Sequence, residues 1–222
     1  MKKESFSMTP ITIEEARSWY QDADPVHDFR HVLRVYRIAE RLAEAEGADM
    51  LIVRTAALLH DSRGSAPGKN GGERAGHHIT SAEFAGEVLS EKGWPPDKIE
   101  AVQHCILAHR YRGGEDKPET LEAKILFDAD KLDVLGAIGA ARTIAYAAID
   151  GEPVYAEPSE HFLKTGETEP GEPHSSYHEY LFKLRNVKDR MFTGSGKALA
   201  ESRHAYLVSF YTQLQAEVRG ER

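Results

Sequence analysis

The chain has 222 residues, a formal net charge of −8 at pH 7 and one cysteine. That length is enough to bury a substantial core, while the negative charge argues against a general affinity for nucleic-acid backbones, which clustered Lys and Arg would have to supply. Cys105 alone excludes an internal disulfide and fits a reducing cytoplasm. Met1-Lys2-Lys3 runs into Glu4 and Ser5 rather than an apolar stretch, so no signal peptide is read. No segment approaches the ~18 apolar residues of a membrane span. The expectation is a cytoplasmic, non-membrane protein that must hold any anionic substrate through a few local groups.

Thr12 before Glu14 and Glu15 marks a helix start, with a short helix expected to about Tyr20 and a break at Asp22 to Pro25. From Phe29, the apolar positions Val32, Val35, Ile38, Ala39, Leu42 and Ala43 recur at three and four residues, the face of an amphipathic helix ending near Gly47. His31 lies at the edge of that stripe. His27, four residues earlier, suits helix entry or support of a neighbouring ligand. Ala48-Asp49 restarts helix, and Met50 to Leu59 is apolar almost all round, which requires burial. His60 and Asp61 then emerge from the core at a rigid, water-poor position, where a metal site can be preorganised. Ser62 to Gly76 is a Gly-rich basic loop with Arg63, Lys69 and Arg74, suited to a linker or a lid over phosphate.

His77-His78 precede a helix running to about Lys92 and closing at Gly93, and Trp94-Pro95-Pro96-Asp97 opens the next, which reaches His109. His78 and His104 read as surface or packing residues. Arg110 to Glu119 reads as a polar loop. Leu121 to Leu135 reads as helix with Ala123, Ile125, Leu126, Ala129, Leu132 and Leu135 inward. Asp128, Asp130 and Asp133 cannot share one face at that spacing. Asp128 and Asp133 read as acceptors orienting His or Lys, or as solvated acids, the latter preferred for Asp128. Gly136 to Arg142 is rich in small residues and suits close packing; no G-x-G-x-x-G follows a strand, so a dinucleotide loop is rejected. Asp150 to Ser176 is expected to be irregular and mobile, Tyr177 to Met191 helical, and Gly196 to Val218 a long amphipathic helix.

The residues with chemistry form an ordered set: His31 in H-x-x-R-V, His60-Asp61 in A-A-L-L-H-D, and Asp130 in D-A-D-K-L-D-x-L-G-A-I-G. Nitrogen and carboxylate oxygen together suit Mn, Mg, Co, Ni, Fe or Zn. With these motifs the chain resembles the HD-domain superfamily of metal-dependent phosphohydrolases, pattern H…HD…D. Within it, the chain is similar to small bacterial single-domain hydrolases, some of them nucleoside-triphosphate pyrophosphohydrolases. The likeness continues through Ala198 to His204.

The resemblance implies a single all-α domain over residues 1–222, an HD-type helical bundle with its metal-binding core at about 26–145 and C-terminal helices at about 177–218. It implies one divalent ion on His31, His60, Asp61 and Asp130. His77 and His109 fall where two-metal members place further histidines. Asp61, His109 and Lys131 are the expected catalytic residues; Arg34, His77, Lys131 and Lys183 are expected to bind a small phosphorylated molecule, a nucleotide. Two alternatives stay open: a two-metal, oxygen-using enzyme and a catalytically silent nucleotide-binding protein.

Overall fold

The computed structural model describes residues 8–20, 28–64, 76–114 and 116–222. The expected break at Asp22 to Pro25, His27 and most of the basic loop, with Lys69 and Arg74, lie outside the described residues. Every regular element within them is helical, as expected of an all-α fold. Contacts divide the chain into two compact units, Met1–Asp130 with Phe192–Ser195, and Lys131–Met191 with Gly196–Arg222. Among the described residues, no single helix is long and apolar enough to cross a membrane.

The first unit opens with α1 (Ile13–Arg17), whose N-cap Thr12 accepts the Glu15 N–H at 3.1 Å. It is shorter than expected because Ser18, Trp19 and Tyr20 bond back to i−3 carbonyls and tighten the chain into a turn. Next, α2 (Phe29–Glu46) starts at the Asp28 cap, buries the predicted stripe and stops at Gly47 in the left-handed region. α3 (Met50–Leu59) is capped by Asp49, whose Oδ1 accepts from Leu51 and Ile52. α4 (His77–Glu91) and α5 (Pro96–Ala108) complete the cage, and α3 packs against α1, α2, α4 and α5. A helix apolar almost all round thus finds protein neighbours on most sides, with Arg54 left on the exposed side to pair with Glu40, and Ile52, Val53 and Ala56 to Leu59 are all buried.

α6 (Leu121–Leu132) brings Asp130 to the first unit near its C-terminus. It ends before the expected Leu135, because Val134 and Leu135 turn back in i−3 hydrogen bonds. Asp128 corrects the solvated-acid reading. Its carboxylate is buried and accepts the backbone N–H groups of Phe192 (2.9 Å) and Thr193 (2.8 Å) and the Thr193 hydroxyl (2.7 Å). Glu46 Oε1 accepts the Ser195 N–H at 2.7 Å. Two acids from α2 and α6 therefore satisfy donors at the N-terminus of α10 (Gly194–Val218), where negative charge also suits the helix dipole.

In the second unit, α7 (Gly136–Ile149) holds the small-residue segment, and a Cβ at Gly139 would lie 2.2 Å from the Val134 carbonyl oxygen. Asp133 is buried in an ion pair with Arg142. The segment from Asp150 to Ser176 is largely irregular as expected, but it contains α8 (Glu160–Thr165) and is tied down by Glu172. That carboxylate accepts from Ser159 N (2.7 Å), Ser159 Oγ (2.8 Å) and Glu169 N (2.7 Å). It also faces His178 Nε2 at 3.1 Å. α9 (Ser176–Phe182) and a 3₁₀ segment (Leu184–Arg190) occupy the stretch expected to be one helix.

Two outcomes follow from these hydrogen-bonded acids. Asp128→Ala leaves two backbone donors without their acceptor and should destabilise the protein by about 1–3 kcal/mol in urea unfolding; a change under ~0.5 kcal/mol would restore the surface reading. The Glu169 and Ser159 N–H groups hold the Glu172 carboxyl down to about 2, from an ordinary value of 4.5. A depressed folded value stabilises above the unfolded value and is lost as pH falls toward the folded one. Thermal melts should therefore show Glu172→Gln less stable than wild type at pH 7, with the gap narrowing between pH 4.5 and pH 2.

Candidate metal centre

Each chemical side chain of the H…HD…D set is delivered by a helix end. His31 sits in the first turn of α2, directly after the Asp28 cap, and is buried. His60 is the residue on which α3 stops, and Asp61 follows it. His77 opens α4, His109 caps α5 and Asp130 lies in the last turn of α6. Five helix ends thus converge on one cluster with a single carboxylate at its centre.

That carboxylate is Asp61. Its Oδ2 lies 3.6 Å from His60 Nε2 and 3.8 Å from His31 Nε2, and its Oδ1 lies 3.0 Å from His77 Nε2 and 3.5 Å from His109 Nε2. Asp130 Oδ1 approaches His31 Nε2 at 3.4 Å. The ligand atoms fall into two sets, His31, His60 and Asp130 in one and Asp61, His77 and His109 in the other, each within 4.8 Å. Side-chain exposures of 15% for Asp61 and 18% for Asp130, against 0% for His60, open the cluster on its carboxylate side.

The local hydrogen bonds fix which nitrogens face inward. His60 Nδ1 lies 2.8 Å from the Ala57 carbonyl, and His109 Nδ1 is bonded to the Ile106 carbonyl. A carbonyl only accepts, so both rings carry their proton on Nδ1 and present a bare Nε2. Burial pushes the His60 imidazole down to about 4, so it is neutral near pH 7. Burial by itself would raise the Asp61 carboxyl, but His60, His109 and His77, where they carry a proton toward it, outweigh burial and hold it well below the ordinary range.

A divalent ion fits this arrangement. His60 Nε2 and Asp61 Oδ1 are buried polar atoms without a hydrogen-bond partner, and such atoms are costly unless something compensates them. The 3.0 Å approach of His77 to Asp61 Oδ1 is a close contact of charge and dipole rather than an aligned hydrogen bond. The donors are imidazole nitrogen and carboxylate oxygen, with no sulfur among them.

His31, His60, Asp61 and Asp130, expected as ligands, come together, and His77 and His109 join them. Arg34 lies on α2 one turn beyond His31 and is half-buried. Lys131 follows Asp130 on α6 and belongs to the second unit. Lys183 is exposed at the end of α9 and pairs with Glu179 at 2.7 Å.

Two supporting residues escape the motif. The Tyr20 hydroxyl donates to the Leu58 carbonyl at 2.8 Å, fastening the last turn of α3 ahead of the His-Asp pair. Burial and the Asp61 charge push its phenol well up, so it remains a donor. Arg110, expected in a plain polar loop, places Nη1 3.0 Å from His77 Nδ1. Only its adjacency to His109 in the sequence hinted at this. Behind His77 lies Gly64, with a positive φ of 134°, where a Cβ would sit 2.7 Å from the His77 Cβ. Arg63 N donates to Ser81 Oγ at 3.1 Å, and the Thr80 hydroxyl donates to the Arg63 carbonyl at 3.2 Å, fixing the turn after Asp61 to α4.

The HD domain family model matches residues 28–135, the stretch carrying all six of these side chains. The Bacillus subtilis protein YpgQ is 32% identical over 214 residues, covering 93% of this chain and 94% of that protein. The crystal structure of YpgQ in complex with ADP aligns with a TM-score of 0.71 and 28% identity, over 94% of this chain and 99% of that one. An HD-superfamily hydrolase from Bacillus thuringiensis aligns with a TM-score of 0.64 and 29% identity, over 93% and 96% of the two chains. By the family-model match, the likeness to YpgQ along nearly its whole length and the shared fold, this chain belongs to the HD-domain family and carries the fold of the HD-superfamily hydrolases.

Proposed function

We propose that this chain is a metal-dependent phosphohydrolase acting on a small phosphorylated substrate, a nucleotide, with one divalent ion held by His31, His60, Asp61 and Asp130. The observation that carries the reading is the Asp61 carboxylate set among four imidazoles, with His60 Nε2 buried and bare beside it. When bound, such an ion supplies Lewis acidity toward a phosphoryl oxygen and makes water a stronger acid.

The chain's own residues divide the remaining work. His109 has its Nδ1 proton committed to Ile106, so its Nε2, facing Asp61 and the exposed carboxylate side, is the group to take a proton from attacking water. Asp61 orients the imidazoles and sets the charge of the centre. His77 donates toward a phosphate oxygen. Arg34, Lys131 and Lys183 are the cations proposed to neutralise phosphate charge. The nucleotide assignment draws on YpgQ, which has been crystallised with ADP. The sequence likeness to pyrophosphohydrolases favours cleavage between the α and β phosphates. A second reading, a two-ion oxygen-using enzyme, has the Asp61, His77 and His109 set in its favour.

Asp61→Ala should reduce bound metal and cut turnover by orders of magnitude while circular dichroism keeps its helical signal, because the apolar α3 behind it retains its packing. The exposed Glu91→Ala is the control and should move neither quantity. Wild-type metal content and rate in Asp61→Ala would reduce Asp61 to a helix-end acid. For the reaction, nucleoside triphosphates assayed with Mn, Mg, Co and Ni should yield monophosphate and pyrophosphate. Inorganic phosphate released only from monophosphates would make the protein a nucleotidase instead.

A further inference from the structure

We propose that Arg110 holds His77 in the tautomer that cannot bind metal, and thereby limits the centre to one ion. The proposal rests on the single-ion reading above and gives it a cause in this chain's own residues.

A guanidinium has donors and no acceptor. Its Nη1 lies 3.0 Å from His77 Nδ1, so Nδ1 must present a lone pair. The one proton of the neutral ring then sits on Nε2, the nitrogen turned toward Asp61 Oδ1 at 3.0 Å. A protonated ring nitrogen is not a metal ligand. His60 and His109 are the reverse case. Their Nδ1 atoms face the carbonyls of Ala57 and Ile106, which leaves Nε2 bare. Within the set Asp61, His77 and His109, only Asp61 and His109 keep a usable ligand atom, too few to hold a second ion firmly.

The contact is built into the fold. Arg110 is half-buried and follows directly on the cap residue of α5, while His77 is the first residue of α4, and these two helices pack together. A Cβ at Gly64 would lie 2.7 Å from the His77 Cβ, so only glycine leaves this side chain its place. Arg110 also puts a fixed positive charge beside the position a second cation would take, and like charges repel there. His77 is left as an N–H donor facing the open side of Asp61, the role a phosphate oxygen would use.

The test uses the full-length protein loaded with Mn(II) and dialysed. Elemental analysis should find one ion per wild-type chain, with the electron paramagnetic resonance of an isolated Mn(II). Arg110→Met should take up two, show the spectrum of a spin-coupled pair, and bind the second ion about 10- to 100-fold more tightly than wild type does. His77→Ala in that background should return the count to one.

Nitrogen NMR of the metal-free wild type gives a reading that needs no variant to fold. His77 should be protonated on Nε2, and His60 on Nδ1. Two ions in wild type, one ion in Arg110→Met, or a bare His77 Nε2 would each overturn the proposal. No ion in wild type would instead bring down the metal-dependent reading of the site and the proposal with it.

Discussion

A carboxylate largely enclosed by imidazoles is the constraint on which the first unit depends. Moving an isolated carboxylate out of water carries a penalty of several kcal/mol, and Asp61, with four ring nitrogens within 3.8 Å and its Oδ1 unsatisfied, is the group that a bound cation would compensate. Those rings come from α2, α3, α4 and α5. The helices must therefore end within a few ångströms of one another, and α3 at their centre makes that geometry reproducible. Its largely apolar surface gives little freedom to rotate or slide without exposing Leu58 or Leu59. Packing and chemistry are the same constraint here: the residues that bury α3 also aim His60 and Asp61.

Helix ends serve this purpose because their last carbonyls lack intrahelical partners. His60 takes the Ala57 carbonyl and His109 the Ile106 carbonyl, each three residues back. Each bond satisfies a backbone acceptor and fixes a tautomer at once. Tyr20 takes the Leu58 carbonyl from outside the helix, so the end of α3 is held on both sides. Rings clamped in this way lose little further freedom on taking a ligand, which is the advantage of a preorganised site.

The sequence makes the backbone of this arrangement readable and leaves its supports hidden. The period of Val32 to Ala43 and the unbroken apolar run before His60 predict α2 and α3, because burial acts on side chains whose spacing is local. Resemblance alone puts His77 and His109 near the site, and the structure brings both within 3.5 Å of Asp61. Arg110, Tyr20 and Asp128 could not be found this way. Their partners lie 33, 38 and 64 or 65 residues away in sequence, and no periodicity encodes a single long-range hydrogen bond. Asp128 shows the difference most plainly: two acids spaced by two residues look alike in sequence, yet Asp128 caps the Phe192 and Thr193 amides while Asp130 meets His31. The sequence of the 3₁₀ segment at Leu184–Arg190 likewise reads as helix, since composition does not separate an α-turn from a tighter one.

Charge decides what the remaining residues at the centre have to do. Two carboxylates, Asp61 and Asp130, and one divalent ion sum to zero, so a one-ion centre offers a nucleotide's phosphates no net attraction. At ~4 Å in an effective dielectric of ~20, each unopposed pair of like charges costs about 4 kcal/mol, so phosphate beside these carboxylates requires cations close by. The chain as a whole does not help, with a net charge of −8. A second ion would solve the problem by adding two positive charges within the cluster. Arg110 offers another solution: one permanent positive charge anchored to His77 at the rim of the Asp61 set, joined by a neutral N–H donor. On this reading, the number of ions and the phosphate-binding charge are one choice made by one side chain, because the bond that removes His77 from the ligands also secures the guanidinium beside the substrate.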